Sequence, residues 1–164
     1  MATDNVTSSR LRELLSYDAH SGVFVLLAQR GPAKAGSVAG SFKDGYKEVM
    51  LDGRSYLAHR LAWFYMTGTW PTGQIDHING DRSDNRISNL RDASPSVNQQ
   101  NRRAAQCNSR SGLLGVTHYK RDDKWMASIR VNRKQHNLGL FATPELAHAA
   151  YIEAKRKMHD GCTL

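Results

Sequence analysis

The stretch Gln74-Ile-Asp-His-Ile-Asn-Gly-Asp-Arg-Ser-Asp-Asn-Arg-Ile-Ser-Asn-Leu-Arg91 carries most of the recognisable chemistry of this 164-residue chain. Its polarity predicts a functional site rather than a hydrophobic core. It holds an adjacent carboxylate and imidazole, Asp76 and His77, and asparagines follow at positions 79, 85, 89, 98 and 101. Mg²⁺ binds through one or two protein oxygens and its substrate's phosphates, and a neutral histidine can take a proton from water. These residues predict a hard cation held beside a base, which phosphodiester hydrolysis needs.

Two further segments extend the pattern upstream, Tyr56-Leu-Ala-His-Arg-Leu-Ala-Trp63 and Gly68-Thr-Trp-Pro71. Together with Asp76-His77, Asn89 and Asn98, they resemble the motif of HNH endonucleases of the phage and homing type. The resemblance covers roughly residues 10 to 103. It implies a two-stranded ribbon packed on a helix around one divalent ion.

The same resemblance implies a role for each motif residue. His77 would be the general base, and Asp76 and Asn98 would ligate the metal. Asn89 would tie together the loop between the ribbon strands and the helix, and His59 is expected to be structural. Because both implied ligands are oxygen donors, the motif favours Mg²⁺ or Mn²⁺ over Zn²⁺. No small-molecule cofactor is expected.

Other interpretations of the stretch are weaker. Asn79-Gly80 is a strong hairpin signal, so the dipeptides alone favour a simple turn. A calcium loop that starts at Asp76 puts Ile78 at the third ligand position, and one that starts at Asn79 puts Asp84 where glycine is required. The full set of spaced residues favours the nuclease. The alternative function is a non-catalytic DNA-binding regulator derived from such a nuclease.

Charge is unevenly distributed along the chain. The formal net charge is +8, from 23 Lys and Arg against 15 Asp and Glu, and residues 101–164 hold +7 of it with 12 basic and 5 acidic side chains. Phosphate neutralisation supplies most of the sequence-independent affinity of proteins for DNA. The asymmetry predicts double-stranded DNA as the partner, although a ribosome-associated or membrane-surface protein would share it.

Cysteine usage and hydropathy point to a reducing compartment. The two cysteines, Cys107 and Cys162, form no Cys-x-x-Cys pair, so neither a structural zinc nor a disulfide framework is indicated. The first residues, 1–5, lack the basic region of a signal peptide, and no apolar stretch is long enough to span a membrane. We expect a cytoplasmic protein of a bacterial or phage-infected cell. The sequence leaves the oligomeric state open.

Local patterns predict the N-terminal elements. Residues 8–15 have a cap signal and amphipathic spacing, which predicts a short helix. Three short runs rich in β-formers, at 23–27, 45–51 and 54–57, predict one small antiparallel sheet, and the last two runs flank the turn Asp52-Gly53. The segment Ala58–Thr67 is too aromatic for a surface helix, so it is expected to be the core helix that supports the ribbon.

The end of the nuclease segment is expected to be helical. We predict that residues 86–103 form the helical half of the motif, with Asn98 and Asn101 on the same side. Arg102 and Arg103 follow at once and are candidate DNA contacts. The small, polar segment 104–112 shows no hydrophobic period and is interpreted as a linker.

The C-terminal segment predicts a three-stranded antiparallel sheet followed by a helix. Thr143-Pro144-Glu145 is a helix start, because it offers a hydroxyl cap, a proline at the first position and an early acid. The pattern Gly115-Val, Trp125-x-Ala-x-Ile-Arg130, Leu138-Gly-x-Phe141 and Ala149-Ala-Tyr151 resembles the ethylene-response-factor (Apetala-type) DNA-binding domain over about residues 110–160. The resemblance implies DNA binding through the sheet.

Period two assigns the two faces of that sheet. If Trp125, Ala127, Ile129 and Val131 pack on the helix, the opposite face presents candidate base and phosphate contacts. That outward face is predicted to hold Thr117, Tyr119, Lys124, Met126, Ser128, Arg130, Gln135 and Asn137. A protein-binding sheet is the alternative interpretation.

Taken together, the sequence predicts an α+β protein that hydrolyses phosphodiester bonds in duplex DNA. A ββα-metal (HNH) nuclease domain with an N-terminal helix and small sheet is expected at 1–103. A linker at 104–112 leads to the DNA-binding sheet and helix at 113–164.

Overall fold

The computed structural model describes residues 6–159 and 161–163, and the chain divides into two compact units, Met1–Pro95 and Ser96–Leu164. The predicted absence of a signal peptide at residues 1–5, and the predicted domain ends at 1 and 164, fall outside the described residues. The predicted domain and linker boundaries remain predictions.

The first unit combines two helices with three small antiparallel sheets, in the strand orders β1-β2, β3-β4-β5 and β6-β7. This mixture of helix and short antiparallel strands is the α+β class that the sequence predicts. In chain order its elements are α1 Ser8–Leu14, β1 Leu15–Asp18, β2 Val23–Leu26, β3 Ser41–Lys43, β4 Tyr46–Leu51, β5 Arg54–Leu57, α2 Ala58–Thr67, β6 Gln74–His77, a 3-10 helix Ile87–Asn89 and β7 Leu90–Ala93.

The predicted grouping of the N-terminal strands is wrong. β2 pairs with β1 and not with the hairpin of β4 and β5, which gains β3 as its third strand. The pairing of β1 with β2 sets Leu15 opposite Leu26 and Tyr17 opposite Phe24. Leu15 is 0% exposed and Phe24 is 1% exposed, so this pairing contributes apolar side chains to the core of the unit.

Helix α2 is the central helix of the first unit, as predicted from its aromatic composition. Leu61 and Ala62 are fully buried, and Phe64 stacks on Trp70 with ring centroids 4.3 Å apart. The helix packs against β4, β5 and α1. Its first turn carries His59 into the interior of the unit, where that residue is 5% exposed.

The prediction of continuous helix over 86–103 is also wrong. Residues Leu90–Ala93 form β7, which pairs with β6 from Gln74 opposite Ala93 to His77 opposite Leu90. Leu90 and Ala93 are each 5% exposed, so the strand buries both of its ends. A helix begins only at Pro95, since proline fits the first turn, where no backbone donor is needed.

The second unit contains one sheet in the order β10-β9-β8 with a helix packed on all three strands, as the sequence predicts. Thr143 caps that helix by accepting a hydrogen bond from the backbone N–H of Leu146. Val116, Ala127 and Ala147 are the buried centre of the core. The elements are α3 Pro95–Gln100, β8 Val116–Tyr119, β9 Lys124–Val131, β10 Lys134–Phe141 and α4 Pro144–Met158.

The register of the sheet confirms the predicted faces. Ala127 and Ile129 are buried, at 0% and 2% exposure. Cross-strand partners lie on the same face of an antiparallel sheet. The opposite face therefore holds the predicted outward set, through the pairs Thr117–Met126, Tyr119–Lys124, Gln135–Arg130 and Asn137–Ser128.

Gly115 provides a test of how the sheet meets α4. It lies just before β8 with φ +73°, and a Cβ atom at this position would lie 2.0 Å from Cδ2 of Tyr151. We expect Gly115→Ala to lower the free energy of unfolding by about 2–4 kcal/mol, because left-handed strain adds to overpacking. The measurement is urea denaturation of the full chain.

Gly112→Ala is the matched control for this prediction. Gly112 has φ +66° and nothing within 4 Å of an added Cβ, so it bears the backbone strain without the clash. We expect a loss of about 1 kcal/mol. Equal losses in the two variants would show that the contact between Gly115 and Tyr151 does not matter to stability.

Candidate active site

The end of β6 brings the adjacent carboxylate and imidazole into the interior of the first unit. Asp76 and His77 are each 5% exposed, Asn85 is 2% exposed and Asn89 is 6% exposed. The polar side chains near the two ends of the stretch are thus buried, whereas residues 79–83 between them are exposed. Buried polar groups persist where hydrogen bonds satisfy them, and these side chains have such partners.

Asp76 is held by an arginine on the neighbouring strand. The ribbon register sets Asp76 directly opposite Arg91, whose Nε and Nη2 atoms lie 2.9 and 2.7 Å from Oδ2 of the carboxylate. The Asp76 side chain is 6% exposed and that of Arg91 is 27% exposed. A buried carboxylate needs such a partner, since an unpaired buried charge is strongly destabilising. Sequence reasoning assigned no role to Arg91, and the signal that identifies it is the strand register.

His77 is oriented by Asn85, one of the asparagines of the predicted site to which the sequence assigned no individual role. Nε2 of His77 lies 3.2 Å from Oδ1 of Asn85, and Nδ2 of Asn85 donates to the carbonyl of Ser83 at 3.4 Å. This second bond orients the amide so that its oxygen faces His77. Because an amide oxygen only accepts, Nε2 of His77 carries the proton and Nδ1 has the lone pair. The hydroxyl of Tyr17 donates to the backbone carbonyl of Asn85 at 2.7 Å.

Asn89 links two parts of the loop between the ribbon strands. Its Oδ1 accepts from the backbone N–H of Asn79 at 2.9 Å, and its Nδ2 donates to the carbonyl of Asp84 at 2.8 Å. Nδ2 of Asn79 also donates to the Asp84 carboxylate at 2.7 Å. Hydrogen bonding from Arg86 lowers the pKa of Asp84 to about 2. Hydrogen bonds of Asn89 and of the charged Asp84 carboxylate therefore hold the loop together.

Aromatic rings enclose His77 on another side. The ring of His59 meets that of His77 edge to face, with centroids 5.1 Å apart and an interplanar angle of 87°. Tyr46 lies 5.3 Å from His59 and 6.3 Å from His77, and the guanidinium of Arg82 lies 4.9 Å from the centre of the Tyr46 ring. Burial, together with the nearby His77 and Arg60, lowers the pKa of His59 to about 3. His59 is therefore neutral near pH 7.

The last residue of the predicted motif lies in the second unit. Asn98 is on α3, and the backbone N–H of Asn101 bonds to the carbonyls of Val97 and Asn98. Asp76 belongs to the first unit and Asn98 to the second, and their joint ligation of a metal remains a prediction. Within residues 6–159 and 161–163, no three His, Cys, Asp or Glu side chains group as a metal site.

The predicted DNA contacts lie on the second unit, and two of them, Arg102 and Arg103, make hydrogen bonds within it. The guanidinium of Arg103 donates to the carbonyl and hydroxyl of Thr163 at 3.1 and 2.9 Å. The backbone carbonyl of Arg102 accepts from Nζ of the buried Lys155. The seven sheet residues of the prediction share the outward face, and their binding to DNA remains a prediction.

Comparison with known proteins gives a match over the segment that contains this geometry. Residues 56–100 match the family model of HNH endonucleases. The matched segment includes His59, Asp76, His77, Asn89 and Asn98. It supports an HNH nuclease at this place in the chain. The resemblance of residues 110–160 to the ethylene-response-factor domain lies beyond this match and remains a prediction.

One similar protein comes from a bacteriophage. The chain is 35% identical over 80 residues to Protein 3.8 of Escherichia phage T7, and the match covers 48% of this chain and 65% of that protein. No solved structure matches the chain. None of the helices in the described part of the chain is long and apolar enough to cross a membrane.

The environment of His59 predicts a pH dependence of stability. An unfolded histidine binds a proton near pH 6.5, whereas His59 in the fold stays neutral down to about pH 3. The unfolded state therefore binds more protons in this window, so stability is lost as the pH falls below 6.5. We expect the wild type to lose roughly 1 kcal/mol per pH unit more than His59→Gln between pH 6.5 and 5.

Urea denaturation at pH 5, 6 and 7 measures this difference for both proteins. Comparing the two slopes removes the contribution of the carboxylates, which titrate in both. Parallel curves for the wild type and His59→Gln would contradict the burial of a neutral histidine beside His77.

Proposed function

We propose that this chain is a metal-dependent DNA endonuclease of the HNH type, which hydrolyses phosphodiester bonds in duplex DNA. The observation that carries the proposal is the pair of oriented side chains at the end of β6. His77 is held by Asn85, and Asp76 is held by Arg91. They lie within residues 56–100, which match the HNH endonuclease family. The similarity to a phage protein is consistent with a chain that acts in a bacterial or phage-infected cell.

The contacts of His77 fit the role of a general base. With Nε2 bonded to the side-chain amide oxygen of Asn85, Nδ1 is the nitrogen proposed to take a proton from the attacking water. The resulting imidazolium keeps its Nε2–H bond to Asn85, and a charged donor makes that bond stronger. The neutral ring of His59 adds no second positive charge beside it. Asn85 is thus proposed as a positioning residue for the base.

Asp76, together with Asn98 of the second unit, is proposed to hold one Mg²⁺ or Mn²⁺ ion. A carboxylate and an amide oxygen suit such an ion, which takes its remaining ligands from water and phosphate. A carboxylate has about four acceptor positions. Two hydrogen bonds from Arg91 go to Oδ2 of Asp76, so the carboxylate keeps acceptor capacity beyond those two bonds. When bound, the ion would stabilise negative charge on the phosphate and on the leaving 3′ oxygen.

Arg91 would also orient the metal-binding carboxylate. Partners that hydrogen-bond to a ligating carboxylate fix its direction and commonly affect metal affinity by 10–100-fold. The two bonds that Arg91 makes to one oxygen of Asp76 are of this kind. No further small-molecule cofactor is required by the proposed chemistry.

The outward face of the β8–β10 sheet is proposed to bind the DNA target. Arg130 and Gln135 are exposed cross-strand partners, and Gln135 donates to the hydroxyl of Ser128 at 3.2 Å. Arginine can recognise guanine and glutamine can recognise adenine in the major groove. The excess of basic residues in this part of the chain would supply phosphate contacts. One active site per chain predicts a nick for a monomer and a double-strand break for a two-fold dimer.

Nicking of supercoiled plasmid tests the proposed base. We expect His77→Ala to lower the rate by about 10²–10⁴-fold, which is the usual contribution of a general base, while DNA affinity is retained. His20→Ala is the matched control, because the His20 side chain is 100% exposed. The control should nick at the wild-type rate.

Two results would count against the proposal. Equal nicking by the wild type and His77→Ala would remove His77 from the chemistry. Tight DNA binding by the wild type with no cleavage in Mg²⁺ or Mn²⁺ would instead identify a non-catalytic DNA-binding regulator.

A further inference from the structure

A cleft of about 530 Å³ lies within the second unit, between the segment predicted to be a linker and the start of the sheet. Arg102, Gln106, Asn108 and Arg110 line it from the linker side. The β8 side contributes Thr117 and His118, and Ser128 of β9 lies beside them. The volume falls within the range of sites that bind small ligands or parts of larger ones. The segment 104–112 therefore forms one wall of a concave surface.

The charges that line this cleft have one sign. Arg102 and Arg110 are positively charged, and none of the described residues that line the cleft is an aspartate or a glutamate. Across residues 6–159 and 161–163, neither guanidinium makes a hydrogen bond or an ion pair to another residue. The arginines at 10, 86, 91 and 103, in contrast, all donate to partners in the fold. Arginines without a partner at the edge of a cleft are available to bind an anion.

The neutral groups of the cleft suit a phosphodiester backbone. Ser128 accepts a hydrogen bond from Gln135, which leaves its own hydroxyl proton for an acceptor. Hydroxyl and amide side chains are common phosphate contacts in complexes with DNA. Leu113, Leu114 and Val116 add apolar surface that can meet a sugar. Thr117 and Ser128 also belong to the outward face of the sheet, so the cleft adjoins the proposed DNA-binding face.

We propose that this cleft binds the phosphate backbone of one DNA strand, with Arg102 and Arg110 as the anion contacts. The segment 104–112 is then a DNA-binding arm and not a passive linker. The inference deepens the proposed function, because it takes duplex DNA as the partner of the second unit. It does not depend on catalysis.

The salt dependence of DNA binding tests the cleft. The full chain is titrated against a fluorescent duplex oligonucleotide in EDTA, so that no cleavage occurs, at KCl concentrations from about 50 to 200 mM. The slope of log affinity against log salt is negative, and each lost phosphate contact should reduce its magnitude by about 1. We expect this decrease for Arg102→Ala and for Arg110→Ala, and about twice the decrease for the double variant.

Arg156→Ala is the matched control, because it removes the same charge from the exposed side of α4, outside the cleft. Its slope should equal that of the wild type. The proposal is overturned if the cleft variants keep the wild-type slope, if Arg156→Ala lowers the slope as much, or if the wild type does not bind duplex DNA.

Alkylation of Cys107 gives a second readout at the arm itself. Cys107 is exposed and lies in the segment 104–112. In a Cys162→Ser background, which removes the other thiol, saturating duplex DNA should slow the reaction of Cys107 with iodoacetamide several-fold. Salt that dissociates the DNA should restore the rate. An unchanged rate in the complex would contradict contact between the arm and DNA.

The two proposals can fail separately. If the cleft variants lower the salt slope but the wild type never nicks plasmid, the nuclease proposal fails and the DNA-binding arm stands. If nicking depends on His77 but the cleft variants bind like the wild type, only the arm fails.

Discussion

The ion pair between Asp76 and Arg91 is the interaction on which the candidate site depends. A carboxylate that is 5% exposed is stable in the folded protein only if a partner compensates for its lost hydration. The antiparallel register of β6 and β7 supplies that partner directly across the ribbon. The same pairing holds His77 beside Asp76 at the end of β6, opposite Leu90. A shift of one residue in register would turn each of these side chains to the other face.

The rest of the first unit supports this ribbon from two further directions. The β1–β2 turn touches the loop at Asn85, because a Cβ on Gly22 would lie 2.5 Å from the Asn85 carbonyl carbon. Tyr17 of β1 bonds to the same residue. Helix α2 brings His59 against His77. The surroundings of His77 are thus built by a hairpin and a helix that are distant from it in sequence.

Local signals in the sequence predicted part of this fold and missed another part. Thr143-Pro144-Glu145 begins α4 and Asp52-Gly53 turns the β4–β5 hairpin, since capping and turn preferences act within a few residues. The strand Leu90–Ala93 was missed because four residues show too little periodicity to distinguish a strand from the start of a helix. The partner of β2 was missed because pairing is decided by packing across the chain.

The sequence likewise identified some residues of the candidate site and missed others. Asp76 and His77 stand out as an adjacent pair in the sequence. Their partners Arg91 and Asn85 do not, because only strand register and loop closure bring them into contact.

The burial of Asp76 also decides which substitution tests its role. Asparagine keeps an oxygen acceptor for Arg91, whereas alanine would remove both hydrogen bonds between the two side chains.

The most direct test of the account is a metal titration of plasmid nicking by the wild type and Asp76→Asn, with thermal unfolding as the check that both are folded. We expect the wild type to nick at free Mg²⁺ on the order of millimolar, because few of the proposed ligands come from the protein. Mn²⁺ should substitute, Zn²⁺ should substitute poorly, and EDTA should abolish cleavage. A folded Asp76→Asn should not nick. Cleavage that persists in excess EDTA, or that is undiminished in Asp76→Asn, would contradict a metal-dependent site at the end of β6.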